Sequence, residues 1–317
     1  MSRLGLLFLP LLSVLVRFGG SEPSVQAYRQ TVGPAVTFAP AASLPQRDPG
    51  GRLIVINWNV YVGNGDVLAL LDRISEVEKA SGRGRPEFVL LLQESVRQSS
   101  AIPASTGFRP PGRIARPESS PDIAALARSL GWWMYYSPSM RNGDGLGALA
   151  EDRGNAILSS LPLQSVQSVE LPFFTQRRVA LTAIVADRDS RPRLRVAAAH
   201  FDTRAPFTQG WIFGGPRARK SQAAQLVATL KDSRSDGLPL VIGGDLNTYI
   251  GSQAVIDTMT QMTPHTDCGT QPTHALGLTL DHLFADVPTD WRQECARGDD
   301  RLGSDHYPLV LSLNVPW

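Results

Sequence analysis

Apolar runs in this 317-residue chain repeatedly break off into residues that a hydrophobic core excludes. Ile54-Val55-Ile56 is followed by Asn57-Trp58-Asn59, and Leu90-Leu91-Leu92 by Gln93-Glu94. Ala197-Ala198-Ala199 leads into His200-Phe201-Asp202, and Val241-Ile242-Gly243-Gly244 into Asp245-Leu246-Asn247. Leu280 meets Asp281-His282, and Gly303-Ser304 precedes Asp305-His306-Tyr307-Pro308. Continuous β-branched and apolar runs of this kind suit strands buried on both faces. A single Asp or Asn after a strand is ordinary turn capping, and a lone His is an ordinary hydrogen-bonded group. Repetition changes the reading, because strands from a common core bring their ends to one rim, where ligands of α/β proteins collect. Glu94, Asp245 and Asp305 as like charges at close quarters then call for a hard cation such as Mg²⁺.

The other segments fit a chain of many strands and few helices. Asp66 caps an amphipathic helix reaching about Ala80, with Val67, Leu70, Leu71, Ile74 and Val77 on one face. Further helices are expected near 122–130, 217–231 and 252–261. Strands are expected near 132–136, 154–160, 165–171, 177–186, 194–201, 239–243, 279–285 and 307–315. Such a pattern predicts two packed sheets flanked by helices, with no domain boundary after residue 51. Residues 96–122 form a Pro/Ser/Arg-rich insertion carrying Arg97, Arg109, Arg113 and Arg116, and 206–216 a Gly- and aromatic-rich loop. Lys and Arg number 31 against 29 Asp and Glu, a net charge of +2 that implies neither a nucleic-acid nor a membrane partner. The 42% hydrophobic content excludes a disordered or collagen-like chain.

The N-terminus reads as an export signal. Arg3 precedes an apolar run from Leu4 to Val16, too short to span a bilayer, and no lipobox cysteine follows. Val25-Gln26-Ala27 offers a cleavage site, with Gly20 as an alternative; an uncleaved anchor or a hydrophobic N-terminal helix are the competing readings. The expected organisation is a signal peptide over 1–27, a flexible linker over 28–50 and a folded domain over 51–317, exported to the periplasm or secreted. Cys268 and Cys295 fit one disulfide of an exported protein. A zinc site joining Cys268 to His265 and His274, or two unrelated thiols, are the alternatives.

The polar endings, taken in order, resemble the endonuclease/exonuclease/phosphatase superfamily, the DNase I-like fold. The motifs are Trp58-Asn59-Val60, Leu91-Leu92-Gln93-Glu94, Gly154-Asn155-Ala156-Ile157-Leu158-Ser159 and Ala199-His200-Phe201-Asp202. They continue with Gly244-Asp245-Leu246-Asn247, Leu280-Asp281-His282 and Ser304-Asp305-His306-Tyr307-Pro308-Leu309. The resemblance covers nearly everything from Gly51 onward. It implies a four-layer α/β sandwich of two mainly antiparallel sheets flanked by helices, and a metal-dependent phosphoesterase that attacks with activated water. Glu94 would bind the cation, helped by Asn59 and Asp305; Mg²⁺ is expected, with Mn²⁺ or Ca²⁺ as alternatives. Asp245 would orient or deprotonate the water, and Asn247 would hold phosphate and water geometry. His306 would contact phosphoryl oxygens with Asp281 fixing its tautomer and charge, and His200 would stand near the leaving group.

The chain departs from the family where Ala197-Ala198-Ala199 stands in place of an Asn or Thr before the first catalytic His. Asn155 and the pair Arg177-Arg178 are candidates to replace that contact, although Asn155 can equally satisfy backbone in a turn and Arg178 can be a surface or salt-bridged residue on its strand. His282, next to Asp281, should point to the opposite face by strand alternation, and His265 and His274 lie in loops and are left out of the site. The expected partner is a phosphate-ester substrate, DNA or RNA first, a phospholipid or small phosphomonoester second, with no stable protein partner. The arginines of 96–122 could form a rail for a phosphate backbone or a solvated loop. Trp132 and Trp133 could stack bases or be core. Phe207, Trp211, Ile212 and Phe213 could make peripheral contact with a lipid surface or pack on one another. A non-catalytic binding module on the same fold is the reading from a different class.

Overall fold

A computed structural model describes residues 24–41, 51–104, 112–147, 150–203, 214–249 and 253–317. The elements are α1 (Val25–Arg29), β1 (Val36–Phe38), β2 (Arg52–Asn59), α2 (Val67–Ala80), β3 (Glu87–Gln98), α3 (Ile123–Leu130), β4 (Trp133–Arg141) and β5 (Glu151–Ser159). They continue as β6 (Leu163–Glu170), β7 (Val179–Ala186), β8 (Pro192–His200), α4 (Gly214–Ser233), β9 (Leu240–Asp245), α5 (Gln253–Thr260), β10 (Asp281–Asp286), β11 (Gln293–Arg297) and β12 (Leu309–Asn314). One sheet has the order β1-β4-β5-β3-β2-β12-β11 and the other β10-β9-β8-β7-β6. Only β2–β3 and β8–β9 run parallel; the remaining pairs are antiparallel.

Strand alternation sorts the apolar runs into layers. Leu53, Val55, Val89 and Leu91 face the second sheet and meet Leu181, Ala183, Val196, Val241 and Leu283 in the central core. Their neighbours Ile54, Ile56, Phe88 and Leu90 face outward onto Leu70, Leu71 and Leu126 of the helices α2 and α3. On the other side Ala197, Ala199 and Ile242 lie against Leu226, Leu230 and Met259 of α4 and α5. Both faces of each central strand are covered, so its sequence reads as an unbroken apolar run, and the four layers are helix, sheet, sheet, helix.

The leader region differs from the expected tether. Residues 24–41 are docked: Ser24 caps α1, Tyr28 is buried, and β1 pairs with β4 at the sheet edge. A buried polar group holds this segment. The guanidinium of Arg97 meets the Asp152 carboxylate (Nε to Oδ1 3.1 Å) and donates to the Pro34 carbonyl at 2.7 Å, while the Gly33 N–H and the Tyr136 hydroxyl also donate to Asp152. Elements of five and three residues carry no sustained periodicity, which is why the sequence reads as linker there. Arg97 therefore belongs to the core, and Arg113 and Arg116 both pair with Glu151, so these three arginines form no rail; Arg109 lies outside the described residues. Removing one partner of a buried pair strands the other charge. Asp152→Ala is expected to lower unfolding stability by about 3–5 kcal/mol in denaturant titration, and a loss under 1 kcal/mol would show that Arg97 finds other partners.

Other boundaries shift modestly. β3 extends to Gln98 through a register shift between Leu92 and Ser95, α4 starts at Gly214, and β11 is an added edge strand. Cys268 and Cys295 form a disulfide with a Cα–Cα distance of 4.6 Å, which removes the zinc alternative. Trp132 is core, stacked on Phe88 with centroids 5.6 Å apart. Among the described residues no helix is long and apolar enough to cross a membrane. The run from Leu4 to Val16 and the residues Phe207, Trp211, Ile212 and Phe213 lie outside the described residues.

Candidate active site

The register of three strands fixes the centre. Asp245, last residue of β9, stands opposite His200 on β8 and opposite Asp281 on β10. β2 of the other sheet delivers Asn59 to the same end, and its parallel neighbour β3 delivers Glu94 one residue past the Asn59–Gln93 pairing. Glu94 has φ 54°, inside the bulge that re-aims this strand. β12 runs antiparallel to β2, so Asp305 and His306, just before it, arrive at the same rim. The two sheets approach closely here: a Cβ on Gly243 would lie 2.8 Å from Asn57 Oδ1, so no larger side chain fits.

Asp245 is the hub. Its Oδ2 accepts from Asn59 Nδ2 at 2.9 Å and its Oδ1 from the Asn247 N–H at 3.0 Å. His200 Nε2 and His306 Nε2 stand 3.5 and 3.8 Å from Oδ2. Burial and the nearby Asp281 charge push the Asp245 carboxyl up to about 7, against the opposing pull of His306, Asn59 and the Asn247 N–H. A carboxylate at that level is matched to proton transfer near neutral pH.

The two imidazoles are set differently. His306 Nδ1–H donates to Asp281 Oδ2 at 2.7 Å. Burial opposes its charge, but Asp281, then Asp245 and Asp305, outweigh it and raise His306 to about 10. The backbone is fixed too: Trp58 Nε1–H donates to the His306 carbonyl, and Ser304 Oγ bridges the Asn59 carbonyl and the His306 N–H. His200 meets a guanidinium instead. Arg178 Nη1 lies 3.1 Å from His200 Nδ1, and a guanidinium can only donate, so Nδ1 accepts and the ring hydrogen sits on Nε2. Burial, then the Arg178, His306 and Arg153 charges, drive the His200 pKa well below its ordinary value. The site thus pairs a charged imidazolium with a neutral N–H donor whose buried Nε2 has no hydrogen-bond partner in the protein.

The remaining predicted residues divide. Glu94 lines a cavity of about 150 Å³ with Arg153, Gln176, Arg178 and His200, and its carboxylate is 3.7 Å from Arg153. Arg178 lies in the site, but two of its nitrogens are committed to His200 and Gln176, so it positions His200 more than it offers substrate a free fork. Asn155 Nδ2 donates to the Val179 carbonyl at 2.7 Å, tying β5 to β7, and only its Oδ1 is unpartnered. Asn247 Nδ2 donates to the Phe201 carbonyl and joins the loops after β8 and β9. His282 points away as alternation requires: its Nδ1 lies 3.0 Å from His265 Nε2, and burial, then the His265 charge, push it down to about 3.

Two further residues lie at the site: Arg153, which the sequence does not single out, and His274, which the sequence leaves out because of its loop position. Arg153 sits two positions before Asn155 and faces Glu94. His274 lies edge-on to His306 with centroids 4.6 Å apart and has Nε2 3.4 Å from Asp305 Oδ2. Neither carried a signal in its own segment, since one is a strand residue and the other a loop residue brought in by pairing. Buried carboxylate oxygens Asp281 Oδ1 and Asp305 Oδ1 have no hydrogen-bond partner, an arrangement that suits a cation near these acids. Ligand atoms of Asp245, Asp281 and His306 all lie within 4.8 Å of one another, as do those of His274, Asp305 and His306.

The sequence profile of the Endonuclease/Exonuclease/phosphatase family matches residues 56–306. The chain belongs to this family. Its members hydrolyse phosphate esters with a divalent metal, so the chain is a metal-dependent phosphoesterase, and the cluster around Asp245 is its candidate centre. No curated protein matches the sequence. Solved structures of similar fold include an endonuclease/exonuclease/phosphatase from Beutenbergia cavernae, 20% identical with TM-score 0.54, the match covering 83% of this chain and 72% of that one. The human Nocturnin catalytic domain with bound sulfate is 16% identical over 89% of this chain and 97% of that one, with TM-score 0.51. A family member from Bacteroides vulgatus is 14% identical over 83% and 98%, with TM-score 0.51. At these identities the likeness is one of fold.

Proposed function

We propose that the protein is an exported, Mg²⁺-dependent phosphodiesterase of the nuclease type. The observation that carries this reading is the placement of a buried carboxylate, Asp245, between a neutral and a charged imidazole. Asp245 accepts a proton from a water that attacks phosphorus. The new P–O bond forms as the ester P–O bond breaks. His200 Nε2–H would hydrogen-bond the departing oxygen, which leaves as an alkoxide and takes its proton from solvent, and His306 supplies a charged donor to the phosphoryl oxygens. Glu94, Asn59 and Asp305, on adjoining strand ends, would hold the cation. Bound there, the ion supplies Lewis acidity toward the phosphoryl group and charge that favours deprotonating water.

Charge supports the diester. Glu94, Asp245, Asp281 and Asp305 nearly balance Arg153, Arg178, His306 and one divalent cation. Little excess positive charge remains, which suits the single charge of a diester better than the double charge of a monoester. A second reading, hydrolysis of a phospholipid or an inositol phosphate, has one observation in its favour. The loop joining His274 to β10 carries Leu276 at 78% exposure and Leu278 at 37%, an apolar rim beside the site. Export rests on the N-terminal run and is supported by the disulfide. Processing after Ala27 would cut through α1, whereas the alternative junction at Gly20 would leave it whole.

Bis-nitrophenyl phosphate is expected to be turned over faster than mono-nitrophenyl phosphate. Chelation should abolish the reaction, and Mg²⁺ or Mn²⁺ should restore it. Faster monoester turnover would replace the nuclease reading with the second one. A panel of plasmid DNA, RNA, sphingomyelin and inositol phosphates then names the substrate class.

A further inference from the structure

The loop carrying His274 is locked onto the segment carrying Asp305 and His306. The Ala275 N–H donates to the Asp305 carbonyl and the Tyr307 N–H to the Thr273 carbonyl, both at 2.8 Å, and His274 bridges His306 in β fashion. Thr273 Oγ1 receives the N–H groups of Leu280 and Asp281, so the same loop also fixes the carboxylate that holds His306. The disulfide ties Cys268, six residues before His274, to β11.

His274, Asp305 and His306 are close enough to be taken for a cation site of their own. The tautomer of His274 argues otherwise. Its Nδ1 accepts from the Leu276 N–H at 3.1 Å, so the ring hydrogen sits on Nε2, which lies 3.4 Å from Asp305 Oδ2. A nitrogen that carries hydrogen has no lone pair for a metal. It is a donor, and what it faces is one oxygen of a carboxylate whose other oxygen, Oδ1, is buried, unpartnered and 3.8 Å from His306 Nε2.

We infer that His274 is a positioning residue: its Nε2–H holds Asp305 Oδ2 so that Oδ1 faces the cation, and it sets cation affinity without touching the cation. This rests on the proposed role of Asp305 as a cation ligand. An oriented carboxylate binds a cation without first giving up rotamer freedom. Groups hydrogen-bonded to ligands in this way commonly contribute about 10–100-fold to affinity.

The test is Mn²⁺ titration by calorimetry on the full chain. His274→Phe, which keeps the ring edge against His306 but removes the donor, should weaken Mn²⁺ binding about 10–100-fold. His274→Gln, whose amide can still donate, should recover most of that loss. Asp305→Asn should weaken binding at least as much, and adding His274→Phe to it should change nothing further. If Asp305→Asn weakens binding while His274→Phe does not, His274 is packing and the inference fails. If Asp305→Asn itself leaves affinity unchanged, Asp305 is no ligand and the cation assignment beneath the inference falls instead. Should His274→Phe fold poorly in a thermal scan, His274→Leu, which also lacks the donor, carries the same comparison with Asp305→Asn through the double-mutant coupling.

Discussion

Asp245→Asn is expected to lower kcat by about three to four orders of magnitude while leaving the fold intact. The substitution is nearly isosteric, and the amide oxygen can still receive one of the Asn59 and Asn247 donors, now at 2.9 and 3.0 Å on separate oxygens, while its NH2 faces the other. What it cannot do is take a proton from water. The effect should therefore appear in kcat and kcat/KM together, the signature of an interaction made in the transition state alone. pH adds a second check. Asp245 is pushed up to about 7 by burial and by Asp281, and it must be ionised to act as base. The rate should fall as pH drops through that region, with a bound cation moving the midpoint to lower pH. Asp245→Asn should abolish that acid limb. A variant keeping even a tenth of wild-type turnover would remove Asp245 from the chemistry.

His306→Ala is the second large effect, expected at about 10²–10³ in kcat from loss of a charged donor. Truncation also leaves Asp281 buried and unpaired, so His306→Gln is the cleaner companion. The linkage has a definite sign. His306 is raised from its ordinary value to about 10 when folded, so it binds its proton more tightly in the native state. Its contribution to stability is fully present below about pH 6.5 and fades as pH rises toward 10. Wild-type unfolding free energy should accordingly fall across that alkaline window relative to His306→Gln. Parallel profiles would mean the imidazole is uncharged at neutral pH and that the Asp281 contact does less than the 2.7 Å distance suggests.

Much of this was legible in the chain because burial on both faces leaves a mark. The strands carrying Asn59, Glu94, His200 and Asp245 are continuous apolar runs, and a polar residue at the end of such a run has nowhere to go but the rim. The opposite orientation of His282 followed from period-two alternation and holds. What the sequence hides is long-range and polar. Arg178 reads equally as surface, substrate clamp or ion-pair residue, and only its 3.1 Å contact to His200 Nδ1 makes it the group that sets a tautomer. Arg97 reads as part of an exposed insertion, yet it is 3% exposed because Asp152 pairs with it from another strand. His274 lies in a loop with no period at all, and a β-bridge to His306 is what brings it into the site. The docked segment 24–41 escapes notice for a related reason: a five-residue helix and a three-residue strand are too short to show a pattern.

The central claim is that Glu94 and Asn59 from one pair of strands and Asp305 from the turn before β12 share one divalent ion next to Asp245. Anomalous scattering from a Mn²⁺-soaked crystal measures this directly. The account predicts a strong peak in contact with Glu94 and Asp305 and adjoining Asn59. A peak held by His274 and His306 instead, or density that leaves the Glu94 carboxylate on Arg153, would contradict it.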